Sequence, residues 1–382
     1  MGISHKIKFY PVGNADNTFI KLEDKTTVLI DCQIREGEED TNGIKIYDVK
    51  SDLLKEVQKD ADKNPFIDLF ILSHPHEDHC KGFEKNFYQG KPSDYNDANR
   101  KKNEIIIGEI WVTQMIFSND LCDDASAIRK EVKRRKQLFE SGSKDINNYG
   151  DRLRIIGYNE NDVTVEGLHY TPGHTIDLIN GEKNDYLSFF IHGPFKSDLV
   201  IGRTEKDHNT TSIILQAQFR VVKNGEIKTK AIFGGDADLY VWEKVVDISE
   251  NNNNSDKLEW DLFLAPHHCS WTFFNDTPYK DNKTPKESAF RFLDYKNSNA
   301  DIIASSVEII DNETNPPCFQ AKEEYVKKIG KNHFLNTGIN KNNKAPEPII
   351  YLIDEDGFTF EKAISSAAST ILTSSTPRAG IK

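Results

Sequence analysis

Ile67-Asp68-Leu69-Phe70-Ile71-Leu72-Ser73-His74-Pro75-His76-Glu77-Asp78-His79 runs from an apolar segment straight into three imidazoles and a carboxylate spaced HxHxDH. The apolar half reads as a buried strand. Side chains alternate along the extended segment that leaves it, so His74 and His76 point the same way and can pinch one metal ion. Asp78 and His79 fall on the turn that follows and can hold a second. With 11 histidines in 382 residues, three at this spacing behind such a strand are not a chance polar loop.

Composition frames that motif. The chain is longer than one average domain, and its apolar fraction of 37%, with 22 Phe and 13 Tyr, is enough to fill a large core. No window approaches 18 uninterrupted apolar residues, and the opening Met1-Gly2-Ile3-Ser4-His5-Lys6 has no apolar signal region, so the expectation is a cytoplasmic protein with no membrane contact. The five cysteines, at 32, 80, 122, 269 and 318, form no CxxC pair and do not make a disulfide framework. A net charge of −12 disfavours bulk attraction to nucleic acid, although two divalent ions in a cleft would reverse the sign locally.

Along the chain, Lys6 to Val12, Asn17 to Leu22 and Thr26 to Cys32 read as a β-meander, and Val49 to Asp60 has helical spacing before the strand that delivers the histidines. Strand, helix and strand then alternate, which argues for an α/β fold. Residues 88–150 are expected to be an insertion, with a strand-like run from Glu104 to Val112 and a charged helix from about Asp124 to Ser141 on the rim. Strands resume at Arg152 to Gly157 and Val163 to Tyr170. A hairpin follows, from Ser212 to Val222 and from Lys228 to Gly234, closed by Asn224-Gly225 as a two-residue turn. Trp260 to Ala265, Ala300 to Ser305, Pro348 to Ile353 and Gly357 to Phe360 complete the strands. The Ser-, Thr- and Ala-rich segment 362–382 is expected to be a disordered or vector-derived tail.

The HxHxDH cluster supplies too few ligands for two ions, so others must arrive later in the sequence, at strand ends facing the same edge. Ala231-Ile232-Phe233-Gly234-Gly235-Asp236 ends a buried strand in a carboxylate, and a carboxylate can bridge two cations where an imidazole cannot. Asp236 is therefore the expected bridge, against the alternative that it caps the helix beginning at Leu239. Leu262-Phe263-Leu264-Ala265-Pro266-His267-His268 repeats the pattern of a strand running into histidine. His268 is favoured as the ligand, with His267 projecting to the other side as a donor to a departing oxygen. For the first ion the choice lies between His174 and His208, with His169 third, and His208 is preferred because it leads directly into the hairpin that ends in Asp236.

In order and spacing these motifs resemble the metallo-β-lactamase superfamily. Tyr10-Pro11-Val12-Gly13-Asn14-Ala15-Asp16, Val28-Leu29-Ile30-Asp31, the strand from Asn209 to Leu215, Gly235-Asp236 and Ala265-Pro266-His267-His268-Cys269-Ser270 are similar to the metallohydrolase domain of ComEC-type DNA-uptake proteins and its stand-alone relatives. The similarity spans roughly residues 5 to 361. It implies an αββα sandwich over residues 1–361 with a dinuclear site, zinc or alternatively manganese, and a bridging hydroxide as nucleophile, a site used by many members to hydrolyse phosphodiesters. The resemblance supports His208 for the first ion, with His174 still open; the expected ligands are then His74, His76, Asp78, His79, His208, Asp236 and His268, and the expected catalytic groups Asp78 and His267. Cys32, Cys80 and Cys269 stand where that branch usually has glycine, and Asn315-Pro316-Pro317 stands where it tends to carry Gly-His-Pro. Cys80 and Cys269 each follow a ligand and read as small buried residues.

The functional expectation is thus a two-metal hydrolase acting on a phosphodiester, either nucleic acid or nucleotide. A small ester, a lactone or a nucleotide second messenger is the alternative substrate, and a metal-stabilised binding protein is the non-enzymatic one. The run Arg129-Lys130-Glu131-Val132-Lys133-Arg134-Arg135-Lys136 offers a basic surface to a polynucleotide.

Overall fold

Period-two alternation sends successive side chains of the strands into different cores, and the layering follows from it. Ile20, Val28, Ile30, Leu69 and Ile71 enter a core that also receives Phe189, Ile191, Leu215, Phe233 and Leu264, whereas Phe19, Leu29 and Phe70 point the opposite way. The computed structural model describes residues 4–40, 43, 45–205, 207–339 and 345–361, and these form a mixed α/β structure with two large sheets facing one another across that first core. The tail over 362–382 lies outside the described residues.

In one sheet the strand order is Gly357–Phe360, Ile349–Asp354, His5–Phe9, Thr18–Lys21, Thr27–Ile30, Pro65–Ile71, Ile106–Thr113, Arg152–Ile156 and His169–Tyr170, with short Gln58–Lys59 paired to Pro65–Ile71. The other runs Phe334–Gly338, Lys296–Val307, Trp260–Leu264, Thr229–Phe233, Ile214–Phe219, Leu187–Gly193 and Thr175–Ile176. The outer face of the first sheet is covered by the helices Val49–Glu56 and Asp123–Glu140 through Leu53, Ala125, Ile128 and Val132. The outer face of the second is covered by Leu239–Asn251, Glu287–Leu293 and Phe319–Ile329 through Trp242, Val245, Phe292 and Tyr325. A Leu, Ile or Phe buried in such a core contributes on the order of 1.5–3 kcal/mol.

Each sheet has a parallel half, and those halves make the functional edge. Ile30, Ile71 and Trp111 align across the parallel pairing of one sheet, and Ile232, Phe263 and Ile302 across that of the other. Their carboxyl ends therefore come out together, which is where α/β sheets collect ligands. Among the described residues no helix is long and apolar enough to cross a membrane.

Several sequence expectations change in three dimensions. The segment read as a rim insertion supplies Ile106–Thr113, an interior strand, and the helix Asp123–Glu140 seals the face of the sheet beside it. Its basic run is not a free stripe. Arg135 is buried, with Nε on Glu131 Oε1 at 2.7 Å, Nη2 on the Ile107 carbonyl at 2.9 Å, and Nη1 on the carbonyls of Arg152 at 2.9 Å and Gly108 at 3.2 Å. Arg134 pairs with Glu131 and Asp151. Lys136 pairs with Glu140, which leaves Lys130 and Lys133 as the exposed cations of the run.

The hairpin also differs. Its pairing ends at Phe219 and Thr229, and a longer loop replaces the two-residue turn, with Asn224 at φ +52°. Val163 to Tyr170 contributes only His169–Tyr170 as strand. The strand Leu187–Gly193, which no sequence signal marked, pairs between Ile214–Phe219 and the edge strand Thr175–Ile176 of the second sheet.

Candidate metal centre

Three sets of His and Asp donor atoms each close within 4.8 Å among the described residues, and two of them share a single residue. His74, His76 and Asp236 make one; Asp78, His79, Asp236 and His268 make the other. Asp236 presents a different oxygen to each: Oδ2 is 3.5 Å from His74 Nε2, and Oδ1 is 3.2 Å from His79 Nε2. Nε2 of His74 and Nδ1 of His76 are 3.0 Å apart, two imidazole nitrogens aimed at one locus.

Local backbone explains these directions. Gly235 adopts φ +54°, and a Cβ there would stand 3.0 Å from the Ser212 side chain and 3.1 Å from that of Ser73, so the approach of the two loops requires glycine. Asp236 is not a helix cap, because Asp238 takes that task by accepting from the Val241 amide. His267, His268 and Cys269 occupy the left-handed region in succession, at φ +48°, +53° and +69°. For residues other than glycine this costs on the order of 1–3 kcal/mol each and is retained where surrounding structure imposes it.

Here the turn is held by the His267 amide on the Gly235 carbonyl at 3.0 Å, the Cys318 amide on the Cys269 carbonyl at 2.9 Å, and Asn315 Oδ1 accepting from Ser270 Oγ and the Trp271 amide. The extended geometry expected for His267 and His268 is therefore replaced by a left-handed turn. It brings His268 Nε2 to 3.2 Å from Asp78 Oδ2 and His267 Nε2 to 3.8 Å from Asp236 Oδ2.

His208 and His174 separate clearly. The His208 ring is buried 5.2 Å from that of His76, and its Nδ1 has no hydrogen-bond partner. His174 is exposed, bonds the Thr171 carbonyl through Nδ1 at 2.8 Å and lies against Tyr170. His169 Nδ1 accepts from the Val165 amide at 3.1 Å, away from the cluster. The expected outcome of His208→Ala is loss of the metal bound by His74 and His76, to about one equivalent, whereas His174→Ala keeps the full content. Elemental analysis of the two variants decides it, and the reverse pattern would make His174 the ligand.

A second ring of carboxylates, not singled out in the sequence reading as site residues, orients the imidazoles. Asp31 accepts from His79 Nδ1 at 2.8 Å, from Ser73 Oγ at 2.7 Å and from the Ser73 amide at 2.7 Å. A carboxylate only accepts from the imidazole, so Nδ1 carries a proton and Nε2 faces Asp236. Asp16 Oδ1 stands 3.4 Å from His268 Nδ1. The sequence signal for both was that they end two of the segments that carry the resemblance, Tyr10 to Asp16 and Val28 to Asp31.

Electrostatics tests whether this donor set suits a cation. Burial pushes the His74 and His76 imidazoles down, toward the neutral form a metal needs. Burial would do the same to His79, but the carboxylates of Asp236 and Asp31 reverse it and hold it well above its ordinary value. Burial likewise opposes ionisation of Asp236, yet His79, His74 and His268 hold it well below the usual range. Against burial, Asp236, Asp16 and Asp78 raise His268 to about 10. Imidazolium at His79 and His268 balances these carboxylates, and a divalent cation could take over that charge and release the protons. His79 Nε2 and Asp236 Oδ1 are both buried and close no hydrogen bond of good geometry, which also fits a cation between them.

No protein-family model matches this sequence, and a search of curated proteins returns no match.

Proposed function

We propose that the chain is a dinuclear metal-dependent hydrolase of the metallo-β-lactamase superfamily, with an αββα sandwich and a phosphodiester as substrate. The observation that carries the reading is the pair of donor sets that meet only at Asp236, one oxygen toward each. His74, His76, His208 and Asp236 would hold one ion, and Asp78, His79, His268 and Asp236 the other. Zinc and manganese both suit imidazole and carboxylate donors. Two such ions supply a hydroxide near neutral pH and a Lewis acid for the oxygen that gains charge.

The chain's own groups do the rest. Asp31 keeps the His79 proton on Nδ1 and so keeps Nε2 turned inward. His267, with 23% of its side chain exposed, stands where it can give a proton to a departing oxygen. The pairing of Arg134, Arg135 and Lys136 takes half of the six cations of the basic run out of a free stripe, which favours a compact phosphodiester over a polynucleotide.

The expected result is hydrolysis of bis-p-nitrophenyl phosphate by the metal-loaded protein, abolished by EDTA and restored by zinc or manganese. No turnover of that diester together with hydrolysis of p-nitrophenyl acetate or a lactone would move the assignment to the small-ester reading. A loaded protein inert toward all of them would make it a metal-stabilised binding protein.

A further inference from the structure

Oxidation has a built route to the metal-binding turn. Cys80 directly follows His79, is fully buried, and donates its thiol to the His76 carbonyl at 3.1 Å. Its Sγ is 3.5 Å from Sγ of Cys122, which is only half-buried and caps the 18-residue helix Asp123–Glu140 by accepting from the Ala125 amide at 3.4 Å. The same helix end already clasps the segment after the turn, because Asp124 accepts from the Gly82 amide at 2.9 Å and the Glu84 amide at 2.8 Å. The other three cysteines are buried.

We infer that Cys122 and Cys80 form a reversible disulfide, with Cys122 as the thiol that meets the oxidant, and that the bond alters the grip of the HxHxDH turn on metal. Cys122 is the less buried of the pair and its sulfur accepts from the Ala125 amide, which favours the thiolate and makes it the better nucleophile. The oxidant is a low-molecular-weight disulfide. The Cys122 thiolate attacks one of its sulfurs, forming a mixed disulfide and expelling one thiolate. The Cys80 thiol then attacks Sγ of Cys122, and its proton passes to the expelled thiolate, which leaves as the second thiol. Two protein thiols are oxidised, and one disulfide is reduced to two thiols.

Closing the bond draws the sulfurs from 3.5 Å to about 2.05 Å and removes the donor from the His76 carbonyl, so residues on both sides of Asp78 and His79 must shift. The metal consequence rests on the function proposed above; the disulfide does not.

The test treats the full chain with oxidised glutathione, maps its peptides by mass spectrometry, follows amide exchange over residues 74–82 and titrates zinc against a chromophoric chelator. The expected result is a Cys80–Cys122 linked peptide reversed by dithiothreitol, altered exchange over 74–82, and zinc affinity weakened about tenfold or more, the lower end of what displaced supporting contacts cost. Cys122→Ser, which keeps an oxygen at the cap, should fold, bind zinc as the reduced chain does and ignore the oxidant. Glutathione left on Cys122 without a link, a free Cys122 under excess oxidant, or a link that changes neither exchange nor zinc affinity would overturn the inference. If the reduced chain takes up neither zinc nor manganese while the link forms and exchange changes, the dinuclear reading fails and the disulfide stands.

Discussion

Asp236→Ala is expected to strip both metals, the largest effect of any single substitution in the chain. Each oxygen of that carboxylate faces a different donor set, at 3.5 Å from His74 and 3.2 Å from His79, and the residue is fully buried. Its loss removes a ligand from each site and leaves facing imidazoles without the anion that draws cations between them. Loss of an outer-shell partner alone typically weakens a metal site about 10- to 100-fold, so a shared ligand should cost more at both sites. Asp236→Asn keeps the shape and removes the charge, and a thermal melt of that variant separates loss of metal from loss of fold. Metal content measured by mass spectrometry should fall from about two equivalents to near zero in both variants. Two full equivalents in a folded Asp236→Asn protein would rule out the bridge, and one retained equivalent would confine the residue to a single site.

His267→Gln should lower kcat by about 10² to 10⁴ while both metals stay bound, the usual scale for a positioned general acid. Of the two adjacent histidines, His268 is buried between Asp78 and Asp16, whereas 23% of the His267 side chain is exposed. Its Nε2 stands 3.8 Å from Asp236 Oδ2, too far for a hydrogen bond and close enough to serve a group lying over the centre. The left-handed backbone that puts it there is costly for a histidine, and such a cost is usually tied to function. The check is a steady-state comparison on the synthetic diester with metal content measured on the same samples. Unchanged kcat, or metal lost from the variant, would remove the proposed role.

Much of this centre was legible before folding because its signals are local. HxHxDH behind an apolar strand needs only alternation and a turn to aim four donors, and Gly-Gly-Asp and Pro-His-His each stand where a buried strand ends. The parallel halves of the sheets then gather those ends at one edge without further instruction.

The choice between His208 and His174 was not local in that sense. It depended on the pairing of Leu187–Gly193 with the edge strand Thr175–Ile176, which leaves His174 at the exposed rim, and on the return of the chain that brings His208 to His76. Nor did the sequence mark Asp31 and Asp16 as the groups that hold His79 and His268, since those contacts join positions 48 and 252 residues apart.

The basic run on the helix Asp123–Glu140 teaches the converse. Charge spacing along a helix suggests a solvated face, but the helix lies on the sheet so that the Arg135 guanidinium meets open carbonyls of two neighbouring strands. Likewise no residue type announces a left-handed turn at His267, His268 and Cys269; contacts from Gly235, Asn315 and Cys318 impose it. By itself, then, the sequence determined the layers, the strand ends and the chemistry of the donors, because alternation and turn propensity act over a few residues. Which later histidine approaches His76, which charges are free and how the second His pair is aimed were decided only by the tertiary structure, because they depend on contacts between segments that meet only when the sheets pack.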